Sequence, residues 1–269
     1  SSDVCSSDLA RSKRSDIRFI PYGEKAQGDY SLKIGKVSAG KHAFSLACTG
    51  ELSIRVPGDH NVRNAAAAVA LCRELLAEDK KNPADYTKKI AASLEKFRGG
   101  KRRSEIVARA VSPCGQEIIV IDDYGHHPTA VASTLAGYRD FYRGHKIIVD
   151  FMSHTYTRTA ALLDEFASSF SSADSVIINK IYASAREDAS AAPVTGKILA
   201  EHTAKKHPDV TYAAEFEEAA ECALKKLSVP SGPKYPDGYV FVTMGAGDNW
   251  KAGKLLLEKL KNLGCEVKL

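Results

Sequence analysis

The sequence predicts an α/β protein whose C-terminal part is a doubly wound, mostly parallel sheet, preceded by a smaller region with a different pattern. Two observations carry this. From residue 104 onward, short apolar runs alternate with amphipathic stretches of helical length, as in βαβ units. The runs Ile118-Ile119-Val120-Ile121 and Ile147-Ile148-Val149 are continuous rather than alternating, as strands are when helices cover both sheet faces. A third observation divides the chain: Arg98-Gly99-Gly100-Lys101-Arg102-Arg103 is charged and flexible, the best boundary in the sequence.

The elements follow in order. Residues 1–9 repeat Ser-Ser-Asp, show no apolar period and lack the basic start and apolar stretch of a secretory signal. They read as translated adapter sequence or as a disordered tail, and residues 1–14 are expected to lie outside the fold. Ile17–Ile20, Tyr30–Val37, His42–Ala47 and Leu52–Val56 read as strands of an antiparallel meander, separated by Gly-containing turns. Asp59 then caps a helix with Val62, Ala65, Ala66, Val69, Cys72 and Leu76 at helical spacing. Asn82-Pro83 opens a second helix with Tyr86, Ile90, Leu94 and Phe97 on one face.

Beyond the boundary, strands are expected at Ser104–Ala110, Glu117–Asp122, Lys146–Phe151, Ser175–Asn179, Val210–Ala213 and Tyr239–Thr243, with a last one at Cys265–Leu269. Helices are expected at Pro128–Tyr142, Arg158–Phe170, Val194–Lys206, Glu215–Leu227 and Trp250–Lys261.

Composition bounds the function. The 269 residues carry 38 Lys+Arg against 33 Asp+Glu, a net +5, with 44% hydrophobic residues. That excludes wholesale disorder, collagen and coiled coil. The longest apolar run, Ala65–Cys72, has eight residues, far short of the roughly 18 of a membrane span. A net +5 over this length is too mild to point to nucleic acid, so neither nucleic acid nor membrane is expected as a partner. The six cysteines stand far apart with no C-x-x-C pair, which predicts reduced packing residues in a cytoplasmic protein.

In a doubly wound sheet, ligands gather outside the carboxyl ends of the strands. Three strand-to-helix loops there are unusually polar: Asp122-Asp123-Tyr124-Gly125-His126-His127-Pro128-Thr129, Ser153-His154-Thr155-Tyr156-Thr157-Arg158-Thr159 and Gly245-Ala246-Gly247-Asp248-Asn249. Histidine and arginine beside helix-start amides suit carboxylate or phosphate. Each loop also has a plainer role: the aspartates can end a strand and cap a helix, and Gly-Ala-Gly permits a tight passage without being a dinucleotide fingerprint. No Gly-x-Ser-x-Gly elbow is present, and the histidines lack the spacing of a zinc motif.

The combination resembles the Mur ligases, the ATP-dependent amino-acid-adding enzymes of peptidoglycan synthesis. Pro57-Gly58-Asp59-His60-Asn61-Val62-Arg63-Asn64-Ala65 is similar to their Gly-x-His-Asn-x-x-Asn-Ala segment, and Phe97-Arg98-Gly99-Gly100-Lys101-Arg102-Arg103 to their hinge. Asp-Asp-Tyr-Gly-His-His-Pro-Thr, His-Thr-Tyr-Thr-Arg-Thr and Thr-Met-Gly-Ala-Gly-Asp look like the branch that adds L-alanine to UDP-N-acetylmuramate. The resemblance implies the end of a central ATP-binding domain over residues 15–97 and a Rossmann-like C-terminal ligase domain over 98–269. It implies ATP and Mg2+ as requirements, UDP-N-acetylmuramate and L-alanine as substrates, and a cytoplasmic location.

Site residues carry over by position. The resemblance places His60, Asn61, Asn64, Arg103 and Asp123 at the nucleotide, and Tyr124, His126, His154 and Arg158 at the substrates. Arg103, Asp123 and His126 fall among the catalytic positions. Relatives often have Arg where this chain has Thr155 and Gln-Pro where it has Met152-Ser153, so a second carboxylate-gripping arginine is not assigned. The chemistry implied is phosphorylation of the lactyl carboxylate, attack on the acyl phosphate by the amine of L-alanine, and loss of phosphate. No G-x-x-x-x-G-K-[ST] segment occurs in the chain. The family's phosphate loop and metal ligands are therefore expected upstream, and the chain by itself is expected to be inactive. Two rivals stand beside this reading: a ligase adding a tripeptide to the same nucleotide sugar, against which the His-Thr-Tyr-Thr-Arg-Thr loop argues, and a stand-alone nucleotide- or anion-binding module.

Overall fold

A computed structural model describes residues 18–38, 40–183 and 194–268. The tail at 1–14, Ile17 and Leu269 lie outside the described residues. The chain forms two compact units. One takes in the residues up to Lys36, His42–Ile54 and Asp59–Lys96; the other takes in Val37–Lys41, Arg55–Gly58 and everything from Phe97.

The first unit holds a three-stranded sheet in the order β1 (Leu32–Ser38), β2 (Lys41–Leu46), β3 (Gly50–Ile54). β2 and β3 pair antiparallel, His42 opposite Ile54 and Leu46 opposite Gly50. Residues 18–20 are not a strand. The period of two sends Phe44, Leu46, Leu52 and Ile54 to one face, where α1 (Asp59–Glu78) covers them with Val62, Ala65, Ala66, Val69 and Ala70. Small alanines let the helix lie close to the sheet. Cys72 departs from the expected face: it is exposed, and the buried position at the next residue is Arg73, whose guanidinium donates to Pro83 O at 3.2 Å. Cysteine is nearly as apolar as alanine, so period alone did not exclude it; a long side chain with a carbonyl to reach took the inner position.

Asn82 caps a 3-10 turn, Pro83–Tyr86, that leads into α2 (Thr87–Lys96). The helix ends before Phe97, which is exposed instead of completing the apolar face. Gly99, at φ +94°, lies two residues on, beyond the helix end.

The second unit is a seven-stranded sheet in the order β10-β4-β5-β9-β6-β7-β8. The strands are β4 (Glu105–Val111), β5 (Glu117–Asp123), β6 (His145–Met152), β7 (Ser175–Ile178), β8 (Val210–Tyr212), β9 (Gly238–Gly245) and β10 (Val267–Lys268). β5, β9, β6, β7 and β8 pair parallel in turn, while β4 and β10 close one edge antiparallel. The helices are α3 (Pro128–Phe141), α4 (Tyr156–Ala161), α5 (Leu163–Ser168), α6 (Gly196–Ala204), α7 (Phe216–Leu227) and α8 (Trp250–Asn262). The single helix expected over 158–170 is two, parted at Leu162, whose φ of −121° leaves the helical region.

Each central strand feeds two cores. Ile119, Ile121, Val149, Phe151 and Val242 meet α3, α5 and α6; Ile118, Val120, Ile148 and Phe241 meet α7 and α8. That is why these runs are continuous in sequence. β9, late in the chain, inserts between β5 and β6. The strand order reverses there, which is where such sheets open a crevice at their carboxyl edge.

Candidate functional site

The three polar loops leave neighbouring strands. Asp123 pairs with Met244 and Met152 with Gly245, so the ends of β5, β9 and β6 stand side by side. The Gly-Ala-Gly turn is forced by crowding. A Cβ on Gly245, at φ +144°, would lie 2.3 Å from Met152 O, and one on Gly247 2.5 Å from Met152 Sδ. Its plainer role, a tight passage, is therefore real.

Arg102 ties the first and third loops. Its Nε donates to Asp122 Oδ2 at 2.9 Å, and its Nη2 donates to Gly245 O at 2.9 Å and Gly247 O at 3.1 Å. Its guanidinium also lies 5.2 Å from the Tyr124 ring centroid. Burial pushes the Asp122 carboxyl above the usual carboxylate range, with Arg102 and the Thr243 hydroxyl working against it.

Asp123 is a brace. Oδ2 accepts from Ser104 N at 2.7 Å and from Tyr138 Oη at 3.3 Å; Oδ1 accepts from Gly125 N at 2.8 Å. These bonds shape the turn that displays Tyr124 and His126. Tyr124 is exposed, and its ring meets His126 edge-on at 5.2 Å. His126 Nδ1 lies 3.0 Å from Tyr124 O. A carbonyl only accepts, so that nitrogen carries a proton, and in the neutral ring the lone pair falls to Nε2. His127 is a helix cap, accepting from Thr129 N.

On the second loop, His154 bridges to Tyr182 and stacks on its ring at 5.6 Å and 17°. Thr155 sits at φ +68°, ψ +136°, a strained place for a β-branched residue. Arg158 is half-buried, and among the described residues its guanidinium forms no ion pair. Asp164, on the following helix, lies 3.8 Å from both His202 Nδ1 and Lys206 Nζ.

The second unit thus gathers Asp123, Tyr124, His126, His154 and Arg158 on adjoining loops. Arg103 is exposed on the turn before β4. In the first unit, His60, Asn61 and Asn64 lie inside α1 rather than at its cap, and the spacing of three puts both asparagines on one face. Arg102 and Tyr182 are the residues sequence reasoning missed. In Lys101-Arg102-Arg103, composition does not say which arginine turns inward; a backbone at φ +55° for Arg102 does. Tyr182 carried a weak signal, standing four residues past the carboxyl end of β7.

A sequence profile of the Mur ligase, glutamate ligase domain matches residues 102–247, more than half of the chain. The chain belongs to the Mur ligase family. Among curated proteins, this Mur ligase chain is 43% identical over 258 residues to UDP-N-acetylmuramate–L-alanine ligase of Treponema pallidum, covering 94% of this chain and 50% of that protein. It is 34% identical over 255 residues to the enzyme of the same name from Syntrophobacter fumaroxidans, covering 93% and 50%. The chain spans about half the length of the curated relatives it matches. Among solved structures, UDP-N-acetylmuramate-alanine ligase from Thermotoga maritima superposes with a TM-score of 0.62 at 25% identity, over 86% of this Mur ligase chain and 46% of that one. Mycobacterium tuberculosis folylpolyglutamate synthase complexed with ADP shares the fold, with a TM-score of 0.55 at 15% identity over 83% and 46%.

Proposed function

We propose that this chain is part of a cytoplasmic, ATP-dependent ligase that joins L-alanine to the lactyl carboxylate of UDP-N-acetylmuramate in peptidoglycan synthesis. What carries the reading is the carboxyl edge: the family match runs from Arg102 to Gly247 and so contains the polar loops on which Tyr124, His126, His154 and Arg158 gather. Arg158, which forms no ion pair among the described residues, holds a substrate carboxylate through charge-assisted hydrogen bonds. His126 Nε2 takes the proton that the alanine amine loses as it attacks the acyl phosphate, its ring held by the Tyr124 carbonyl. Asp123 positions that loop through its bonds to Ser104, Tyr138 and Gly125. Arg103 is left for the phosphates of ATP, and His60, Asn61 and Asn64 for its adenine, an amide being able both to donate to and accept from a purine edge.

Among the described residues no group of three or more His, Cys, Asp and Glu is placed to hold a metal ion, so none of them is assigned to Mg2+. No helix of the described residues is long and apolar enough to cross a membrane.

The test is a phosphate-release assay with product mass, on a full-length protein carrying this chain, with ATP, UDP-N-acetylmuramate and either L-alanine or the tripeptide. ATP-dependent product with L-alanine is expected. Product only with the tripeptide would turn the reading into the recycling ligase; no product with either would leave an anion-binding module. The 269-residue chain by itself is expected to stay at the blank, since it contains no phosphate-cradling glycine loop.

A further inference from the structure

Directly beneath the carboxyl edge lies a cluster that the ligase reading does not use. Asp150, on β6, is fully buried, as are Asn179, one residue past β7, and Asn249, just before α8. Asn179 Nδ2 donates to Asp150 Oδ1 at 2.8 Å and to Ala213 O at 3.2 Å. Asn249 Nδ2 donates to Asp150 O at 3.1 Å and to Met244 O at 2.9 Å, and its amide adjoins the Asp150 carboxyl. All the amide hydrogens are thereby spent. Among the described residues three oxygens are left with no donor: Asp150 Oδ2, Asn179 Oδ1 and Asn249 Oδ1.

An excess of buried acceptors is costly, most of all when one of them belongs to a carboxylate. One proton lowers the deficit, because a protonated Oδ2 is a donor as well as an acceptor and no longer carries the charge whose burial costs most. Among the described residues the groups acting on Asp150 are the Asn179 and Asn249 amides and burial itself, with no cation beside them. We infer that Asp150 is held as a neutral carboxylic acid at mildly acidic pH and that, with Asn179 and Asn249, it forms a buried tie positioning the strand ends that carry the site.

The tie reaches the site in two directions. Asp150 lies four residues before His154 on the same strand-to-loop passage. Asn249 holds Met244 O, next to the Gly245 carbonyl that anchors Arg102. The positioning role rests on the ligase reading of this edge; the protonation state does not.

The test is the carboxyl 13C titration of Asp150 by NMR in the whole chain, with Asp150→Asn to assign the signal. The expected midpoint is about 7, against an ordinary 3.8. A midpoint at or below 3.8 would overturn the proposal, showing an ionised group satisfied by water or a cation. In parallel, Asp150→Asn replaces the acid by a neutral donor and acceptor of the same shape. Wild-type Tm should fall between pH 4 and pH 7 relative to Asp150→Asn and run parallel to it above. Curves parallel throughout would also overturn it. For positioning, Asn249→Ala should shift the backbone amide signals of Gly245 and His154 while Asp150→Asn leaves them in place; unmoved signals in Asn249→Ala would reject the tie. If full-length protein makes no ligase product, the function fails while the titration stands.

Discussion

Arg158 decides most at the scale of single residues. It is half-buried and makes no ion pair among the described residues, while Asp164, within a helical turn or two of it, faces His202 and Lys206 instead. A charge-assisted carboxylate contact contributes roughly 1.5–3 kcal/mol, against ~0.2–0.5 for a helical ion pair. In a full-length enzyme, Arg158→Ala should therefore lower kcat/KM about ten- to a hundredfold for a carboxylate substrate, and Arg158→Lys should recover only part, since it lacks the fork. If Arg158→Ala folds and stays within about twofold for both L-alanine and UDP-N-acetylmuramate, Arg158 holds no substrate. Thr155 makes a second case. Its φ of +68° imposes strain of order 1–3 kcal/mol on a β-branched side chain. Thr155→Gly should leave stability unchanged or raise it by about 1 kcal/mol in urea unfolding, where glycine in an ordinary loop lowers it.

Between elements, Arg102 is the clasp joining β5 to the turn after β9. It is the cation beside a buried Asp122 whose carboxyl already sits above its ordinary range. A raised acid contributes stability at low pH that is lost as pH rises through its folded pKa. Removing Arg102 raises that pKa further, so the cost of Arg102→Ala should grow as pH rises and Asp122 ionises, approaching ~3 kcal/mol near pH 8, on top of the carbonyl bonds lost at every pH. Asp122→Asn in the same background should restore much of the loss at the higher pH. A penalty that does not change with pH would mean that the carbonyl bonds, not the ion pair, are what Arg102 supplies. On α1, Leu71 and Leu75 are 62% and 53% exposed and four residues apart, beside exposed Cys72. One turn of helix thus shows a continuous apolar stripe to solvent. Leu71→Lys with Leu75→Gln should lower self-association in sedimentation without lowering Tm; unchanged association would show the stripe is inert.

The whole molecule has separate cores, one under the meander and α1, and two on either face of the large sheet. Lys96, Phe97, Arg98 and Lys101 between them are exposed. Trypsin should therefore cut first near Gly99-Gly100 and leave a resistant C-terminal fragment, because both faces of its sheet are covered. A protected N-terminal fragment beside a nicked C-terminal one would contradict that expectation.

What the sequence determined by itself was mostly what repeats along it. Continuous runs such as Ile118–Ile121 announce a sheet buried on both faces, and alternation in His42–Leu46 announces one buried on a single face, because side-chain direction is set by local backbone geometry. The loops at Asp122, Ser153 and Gly245 were legible for the same reason: polar residues packed after apolar runs must sit at strand ends. Tertiary structure alone decided the rest. Which arginine of Arg102 and Arg103 turns inward depends on a positive φ and on carbonyls more than 140 residues away in sequence. That Asp123 braces its loop depends on Ser104 and Tyr138 arriving from other elements. The proton assigned to Asp150 depends on donors being used up by Ala213 and Met244. Hydrogen-bond partners and burial belong to contacts between distant segments, and no local period in the chain encodes them.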